Sequence, residues 1–292
     1  MMNDPMILRS MLFVPGDRTE RFEKALNSGA DAIIIDLEDA VAIARKDVVR
    51  ASFGSAVPAR DERPVPIYVR INGTHTRWCL SDIEAAVAVG ADGIMVPKCD
   101  KATAVEIVAW TCRQLGANDL EIIPILETAA GIANAREIMA SGRRRVNFGA
   151  GDLGRDLALI ISEGEPELHP YRSKVVVNAR TVGALAPLDT VWGNLRDLEG
   201  LAASARRAKR MGFGGKLCIH PSQIAPIHAA FTPSEDETRL ATAFCEGFEQ
   251  AEARGDAAIE IEGHFIDYPV YEQARAVVAL SNAIRDKEQR NG

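Results

Sequence analysis

The stretch AIIIDLE, Ala32–Glu38, decides the fold, because an aliphatic run that ends in charged or polar residues recurs along the whole chain. Parallel strands that are covered by helices outside and packed side chains inside have this composition over about 4 to 8 residues. Seven further runs share it: Arg9–Pro15, Val65–Asn72, Gly93–Lys98, Glu121–Thr128, Val146–Asp152, Pro187–Trp192 and Gly215–Pro221. Stretches with helical spacing of apolar residues separate the runs. The sequence therefore predicts an α/β fold, a (β/α)8 TIM barrel.

The length of the chain leaves room for an addition after the barrel. The chain has 292 residues, and a barrel of this kind takes about 250. We predict a TIM barrel catalytic domain over residues 1–230 and a C-terminal helical extension over residues 231–292. In FTPSEDET, Phe231–Thr238, Pro233 breaks the chain and Ser234 can cap a new helix. We expect this extension to be a lid or a subunit contact.

Composition argues against several classes of protein. The net charge of −7 is not that of a nucleic-acid-binding protein, and the basic run Arg143–Arg145 is expected to be a solvated loop. No run of about 18 apolar residues is present, so no segment is predicted to span a membrane. The 5 cysteines form no CxxC pair and no cluster with zinc spacing, which favours a reduced, cytoplasmic compartment.

Charged side chains collect where the predicted strands end. These positions carry Asp36, Glu38, Asp39, Arg70, Lys98, Glu127, Asp152 and His220. Active sites of such barrels lie at this end of the strands, so the ring of charge indicates an active site. Glu127 and Asp152, at the predicted ends of strands five and six, suit a small hard cation such as Mg²⁺. The alternative is that each carboxylate caps the helix that follows it.

Arg70 lies inside the apolar run IYVRIN, where an unpaired guanidinium group would be costly to bury. It either forms an ion pair with Asp36 or Glu38, or holds a substrate carboxylate through two parallel hydrogen bonds. One acid of DLEDA is expected to orient Arg70 or the water shell of the metal ion. Lys98 and His220 are predicted contacts for a phosphate or carboxylate group, and His220 fits a helix cap equally well.

Many segments, in the same order, resemble the citrate lyase beta subunit family within the HpcH/HpaI aldolase superfamily, which includes malyl-CoA and citramalyl-CoA lyases. The resemblance covers nearly the whole chain. It rests on RSMLFVPGDR (Arg9–Arg18), IIDLEDAV (Ile34–Val41), VRIN (Val69–Asn72), IMVPK (Ile94–Lys98), ILETAAGI (Ile125–Ile132), FGAGDL (Phe148–Leu153), GFGGKLCIHPSQI (Gly212–Ile224), FTPS (Phe231–Ser234) and GHFIDYP (Gly263–Pro269).

This resemblance implies a Mg²⁺-dependent carbon–carbon lyase that acts on a β-hydroxyacyl thioester such as malyl-, citramalyl- or citryl-CoA. The products would be an acetyl-CoA-type thioester and a 2-keto acid. Glu127 and Asp152 match the metal ligands of the family, and Arg70 matches the arginine that holds the keto acid. Asp267 matches an acid that several relatives contribute to the active site of a neighbouring subunit. A homo-oligomer, a trimer or a hexamer, is therefore expected.

Roles are also predicted for further residues. We predict catalytic roles for Arg70, Asp267 and Glu38. Substrate contacts are expected from Arg70, Glu127, Arg18 and Lys98, and metal contacts from Glu127 and Asp152. Two other functions stay open: an aldolase for free 2-keto-3-hydroxy or 2-keto-3-deoxy acids, and the beta subunit of a multi-subunit citrate lyase that acts on an acyl-carrier thioester. The stretch Gly154–Tyr171 differs widely among relatives, so the acid substrate is not predicted.

Overall fold

Eight parallel strands close into a barrel in this computed structural model, which describes residues 6–142 and 145–291. The strands are β1 (Ser10–Pro15), β2 (Ala32–Asp36), β3 (Ile67–Arg70), β4 (Gly93–Val96), β5 (Glu121–Leu126), β6 (Asn147–Phe148), β7 (Leu188–Asp189) and β8 (Gly215–Cys218). Their spatial order is their order in the sequence, and β1 closes the barrel by pairing with β8. The predicted (β/α)8 barrel is confirmed.

Helices follow the strands and pack against their outer faces. They are α1 (Phe22–Leu26), α2 (Lys46–Ser52), α3 (Cys79–Ala88), α4 (Ala102–Gln114), α5 (Ala129–Ala133), α6 (Ala135–Ala140), α7 (Ala150–Asp156), α8 (His169–Thr181), α9 (Leu198–Arg210) and α10 (Ile224–Phe231). In α9 the buried residues Leu201, Ala205 and Ala208 recur at helical spacing. Asp197 begins this helix, because its side chain accepts a hydrogen bond from Gly200 N over 2.8 Å.

Alternation along the strands divides the buried side chains into two layers. In β2, Ile34 belongs to the inner layer, while Ile33 and Ile35 belong to the layer between strands and helices. The inner layer also contains Tyr68 and Met95. Because these large side chains fill the interior, the barrel is a packed core, and chemistry is left to its ends.

The residues from Thr232 onward form a second compact unit, and those up to Phe231 form the first. The second unit contains α11 (Glu235–Glu252), the antiparallel strands β9 (Ile259–Ile261) and β10 (His264–Ile266), and α12 (Tyr268–Asn291). Ser234 caps α11 in a capping box with Glu237. The hairpin is not among the predicted elements. Its turn uses left-handed backbone at Glu262 (φ 51°) and Gly263 (φ 79°).

No helix of the described ranges is long and apolar enough to cross a membrane. Of the basic run, Arg143 and Arg144 lie outside the described residues. The expectation of a solvated loop is wrong for Arg145, which is buried and donates from Nη2 to Met6 O over 2.7 Å.

Candidate active site

The first pair of site residues joins the ends of β2 and β3, where Asp36 and Arg70 are neighbours in the strand register. Arg70 donates from Nε to Asp36 Oδ1 over 2.7 Å and from Nη2 to Oδ2 over 2.6 Å. The backbone N–H groups of Glu38 and Ala40 donate to the same carboxylate. Burial acts to raise the pKa of Asp36, but Arg70 and these hydrogen bonds lower it below its usual value. Asp36 is therefore an ionised and fully paired partner of Arg70.

This pairing limits how Arg70 can bind a substrate. The guanidinium group presents one edge through Nε and Nη2 and a second edge through Nη1 and Nη2. Asp36 occupies the first edge. On the second edge, Nη1 lies 3.3 Å from Glu38 Oε2, and the plane of the group lies over the Phe13 ring, 4.6 Å from its centre. Of the two roles predicted for Arg70, the structure contains the ion pair. A substrate carboxylate would have to bind at the second edge.

Glu38 and Lys98 form a second pair beside the first. Lys98 donates from Nζ to Glu38 Oε1, and Nζ also lies 3.4 Å from Asp152 Oδ2 and 3.5 Å from Asp39 Oδ2. Within the described residues, the buried Glu38 Oε2 has no hydrogen-bond partner. Burial raises the pKa of Glu38, although Arg70 and Lys98 oppose this effect. Burial acts to lower the pKa of Lys98, but the surrounding carboxylates raise it, so the side chain is a cation among acids.

Glu127 follows β5 directly and is 5% exposed. Its Oε1 accepts a hydrogen bond from the backbone N–H of Lys98 over 2.7 Å. Burial raises the pKa of Glu127 to about 7, although the Lys98 N–H opposes this. A Cβ at Gly149 would lie 2.7 Å from Glu127 Oε2, so the glycine leaves space for this carboxylate. Glu127 is not a helix cap, because Thr128 caps α5 by accepting from Gly131 N.

Asp152 lies in the first turn of α7, beyond the end of β6 at Phe148, so the prediction that it ends a strand is wrong. The run VNFGAGD resembles a single strand because Gly149 and Ala150 give no polar signal before the acid. Asp152 is not the cap of α7 either, since the N-cap is Gly149. Its Oδ1 accepts from Arg155 Nη2 over 2.5 Å, and its Oδ2 faces Lys98 Nζ.

Among the residues of the site, Glu127 and Asp152 are the best candidates for ligands of Mg²⁺. Both contact Lys98, one at the backbone N–H and the other at Nζ, so a carboxylate that follows β5 and a carboxylate in α7 share this residue. Mg²⁺ is usually held by one or two protein carboxylates together with water and substrate oxygens. In the part of the chain that the structure describes, no group of three or more His, Cys, Asp or Glu side chains has metal-binding geometry. The two carboxylates that share Lys98 are therefore the candidate ligands of a magnesium ion.

Among the described residues, no hydrogen bond or ion pair joins Arg18 or His220, two of the predicted residues, to this cluster. The side chain of Arg18 is 54% exposed, and its ion pair is with Asp17, over 3.9 Å. His220 is exposed and caps a short 3-10 helix, because its Nδ1 accepts a hydrogen bond from Ser222 N over 3.2 Å. Of the two roles that the sequence left open for His220, the structure therefore contains the cap.

Asp267 lies in the second unit, immediately before α12. Its Oδ1 accepts a hydrogen bond from Val270 N over 3.2 Å, so Asp267 caps this helix. Among the described residues, Oδ2 has no such partner. One carboxylate oxygen is therefore available for another role.

Two features of the site have no signal in the sequence. Phe13, beneath Arg70, is an ordinary apolar strand residue in the run RSMLFVP. Lys98 has left-handed backbone, with a φ of 48°, although the segment IMVPK contains no glycine. Side-chain stacking and backbone handedness depend on neighbours that are distant in the sequence, so the sequence pattern does not show them.

Comparison with known proteins identifies the family. Residues 9–221 match the family HpcH/HpaI aldolase/citrate lyase. The chain belongs to this family. It is 35% identical over 277 residues to a (3S)-malyl-CoA thioesterase from Cereibacter sphaeroides, covering 94% of this chain and 95% of the relative. It is 33% identical to the citrate lyase subunit beta of Escherichia coli, covering 96% and 95%. The predicted family resemblance is confirmed.

Solved structures of the family include complexes with magnesium. The protein CitE from Mycobacterium tuberculosis, in complex with magnesium, acetoacetate and coenzyme A, is 32% identical and superposes with a TM-score of 0.78, covering 94% of this chain and 98% of that one. A citrate lyase beta subunit from M. tuberculosis, complexed with oxaloacetate and magnesium, is 34% identical with a TM-score of 0.67, covering 78% and 98%. Family members are thus known with a metal ion, a keto acid and coenzyme A.

Proposed function

We propose that this protein is a Mg²⁺-dependent carbon–carbon lyase that cleaves a β-hydroxyacyl-CoA thioester, or forms it in the reverse direction. The products of cleavage are an acetyl-CoA-type thioester and a 2-keto acid. The observation that carries the proposal is that Glu127 and Asp152 both contact Lys98, which shares Glu38 with Arg70. Relatives solved with magnesium and oxaloacetate, or with magnesium and coenzyme A, support it.

The protein's own residues divide the work of cleavage. Mg²⁺, held by Glu127 and Asp152, would supply Lewis-acid polarisation of the keto-acid oxygens. Arg70 binds the substrate carboxylate through its Nη1 and Nη2 edge, and Asp36 fixes the guanidinium group in the required plane. Glu38 lies within reach of Arg70 Nη1 and Lys98 Nζ, so it orients both cations towards the substrate.

A base is needed for the direction of synthesis, because a proton must leave the methyl carbon next to the thioester. We assign this role to Asp267, and in cleavage the same group returns the proton to that carbon. Its Oδ1 caps α12 and fixes the side chain, while Oδ2 is left for proton transfer. We further propose that Asp267 completes the site of a neighbouring subunit in a homo-oligomer, a trimer or a pair of trimers.

Product analysis tests the reaction. Purified protein with Mg²⁺ is incubated with acetyl-CoA or propionyl-CoA and a panel of 2-keto acids, and the products are identified by mass. The proposal expects a β-hydroxyacyl-CoA whose formation stops in EDTA. Release of free CoA and a hydroxy acid from that product, without keto acid, would indicate a thioesterase, like the Cereibacter relatives. If no pair of substrates gives carbon–carbon bond formation or cleavage, the lyase proposal is wrong.

Mixing of variants tests the place of Asp267. Chains with Asp267→Ala and chains with Arg70→Ala are each expected to be inactive. Refolded together, they should recover part of the activity, because some sites then combine an intact Arg70 with an intact Asp267 from another chain. Mixed oligomers that are demonstrated by mass measurement and stay inactive would show that Asp267 does not act across subunits.

A further inference from the structure

Lys98 has a backbone conformation that residues with a side chain seldom adopt. Its φ of 48° lies in the left-handed region where glycine is usual. Residues of this kind collect at functional sites, where surrounding contacts hold them in place. At Lys98 the backbone N–H donates to Glu127 Oε1 over 2.7 Å, while Nζ donates to Glu38. One residue therefore holds two carboxylates that reach the site from different strands.

The ammonium group of Lys98 lies close to a proposed metal ligand. Nζ is 3.4 Å from Asp152 Oδ2, and the Lys98 side chain is 22% exposed, so water screens the attraction only in part. This positive charge stabilises the Asp152 carboxylate at Oδ2, while the more exposed Arg155 pairs with Oδ1. The same charge opposes a divalent ion that approaches the same oxygen, because two cations repel each other at this distance.

We propose that Lys98 is a positioning residue that sets the Mg²⁺ affinity of the site: its ammonium group, held by Glu38, competes with Mg²⁺ for Asp152 Oδ2. Its backbone N–H orients Glu127. The inference rests on the proposed function, because it takes Glu127 and Asp152 as the ligands of Mg²⁺. It adds a role for a residue that the sequence assigned only to substrate contact.

Removal of the charge should have two opposite effects. Lys98→Met keeps the length of the side chain and the backbone N–H that orients Glu127, and it removes only the ammonium group. The metal-free protein should lose stability, since Asp152 and Glu38 lose their shared cation. Mg²⁺ should bind more tightly, since it no longer competes with the lysine. A residue with a purely structural role would show the first effect without the second.

The experiment compares wild type with Lys98→Met, Lys98→Arg and Arg155→Met. Mg²⁺ binding is measured by titration calorimetry, and thermal unfolding is measured in EDTA. We expect Lys98→Met to bind Mg²⁺ about tenfold more tightly than wild type and to unfold at a lower temperature. Lys98→Arg should remain close to wild type in both. Arg155 is the matched control, because it pairs with the other oxygen of Asp152 but is 75% exposed; its replacement should change Mg²⁺ affinity less than about threefold.

The outcomes separate this inference from the function on which it rests. If wild type binds Mg²⁺ and Lys98→Met binds it equally or more weakly, the inference is overturned and the metal site stands. If wild type binds no Mg²⁺, the proposed function fails and the inference fails with it. Should Lys98→Met not fold in EDTA, Lys98→Gln replaces it, since an amide can still donate to Glu38. Tighter Mg²⁺ binding by Lys98→Gln supports the inference, and unchanged binding overturns it.

Discussion

Two clusters of buried charge in the barrel differ in how completely they are paired. The first joins β7, β8 and α8: Lys216 donates from Nζ to Asp189 Oδ2 over 2.6 Å, and Arg172 donates from Nε to Asp189 Oδ1 over 2.9 Å. Glu165 accepts a further hydrogen bond from Arg172. The Lys216 and Asp189 side chains are 0% exposed and that of Arg172 is 3% exposed. Both oxygens of Asp189 are satisfied from within the protein.

The second cluster, at the ends of β2 to β6, is not closed in this way. Glu38 Oε2 is buried without a hydrogen-bond partner among the described residues, and burial raises the pKa of Glu127 to about 7. Asp152 and Lys98 are partly open to solvent, with 19% and 22% of their side chains exposed. Removing one member of a closed cluster leaves a buried charge unpaired and costs stability, whereas incompletely paired and perturbed groups in one place mark a candidate functional site. The difference separates a structural site from a candidate active site.

Loss of a proposed metal ligand should have the largest effect, and it should act on turnover. Glu127→Gln and Asp152→Asn should each lower turnover by about 10³-fold or more, because charge that develops on the substrate loses its Lewis acid. The folded barrel should persist, as judged by circular dichroism. Glu121→Gln is the matched control on β5, where the amide oxygen can still accept from Tyr68 OH. Near-normal turnover in either of the first two variants would remove the metal site.

The closed cluster should respond in stability instead. Lys216→Met leaves Asp189 with Arg172 alone and should lower the free energy of unfolding by about 3 to 5 kcal/mol. Urea unfolding measures the loss, and Mg²⁺ affinity of the folded fraction should stay at the wild-type value. A loss below about 1 kcal/mol, the size usual for an exposed pair, would show that the burial of this cluster has little energetic weight.

Arg70 belongs to the open cluster, but one of its edges is already paired with Asp36. Arg70→Lys should reduce kcat/KM about 100-fold and nearly as much as Arg70→Ala, since lysine keeps the charge but cannot bind Asp36 and a substrate carboxylate through two edges. Steady-state kinetics with the 2-keto acid as varied substrate measures this. A lysine variant with an unchanged KM for the keto acid would make Arg70 a purely structural partner of Asp36.

The smallest expected effect is a dependence on pH. Burial acts to raise the pKa of Asp189, but Lys216 and Arg172 lower it below the usual 3.8. A lowered pKa in the folded state adds stability above pH 3.8, and that stability is lost as the pH falls through the folded-state value. The difference in unfolding free energy between wild type and Asp189→Asn should therefore shrink below about pH 4. A constant difference from pH 7 to pH 3 would contradict an ionised Asp189.

Much of the barrel could be predicted from the sequence, because aliphatic runs and their spacing reflect burial directly. The predicted strands extend beyond the observed ones at their C-terminal ends, as at Glu38, Lys98 and Thr128, since buried loop residues continue the pattern. The β9–β10 hairpin is not predicted, although apolar and polar residues alternate in IEIEGHFI and the segment contains Gly263. Short strands carry too few residues for the alternation to stand out.

The candidate site could be predicted as a set of residues but not as an arrangement. The strand ends indicated Arg70, Lys98 and Glu127, and the family resemblance gave them roles. No sequence pattern shows that Asp36 takes one edge of Arg70 or that Lys98 reaches Asp152, because these contacts depend on strand register and on a left-handed backbone. For the same reason, no sequence pattern predicts the Asp189 cluster, whose members are spread from Glu165 to Lys216.

Crystals grown with Mn²⁺ in place of Mg²⁺ would locate the metal ion by anomalous scattering. We expect one strong peak per chain, about 2 Å from a carboxylate oxygen of both Glu127 and Asp152, with Lys98 Nζ withdrawn from Asp152. A peak at other residues, or no peak while Asp152 keeps its contact with Lys98, would contradict the proposed metal site.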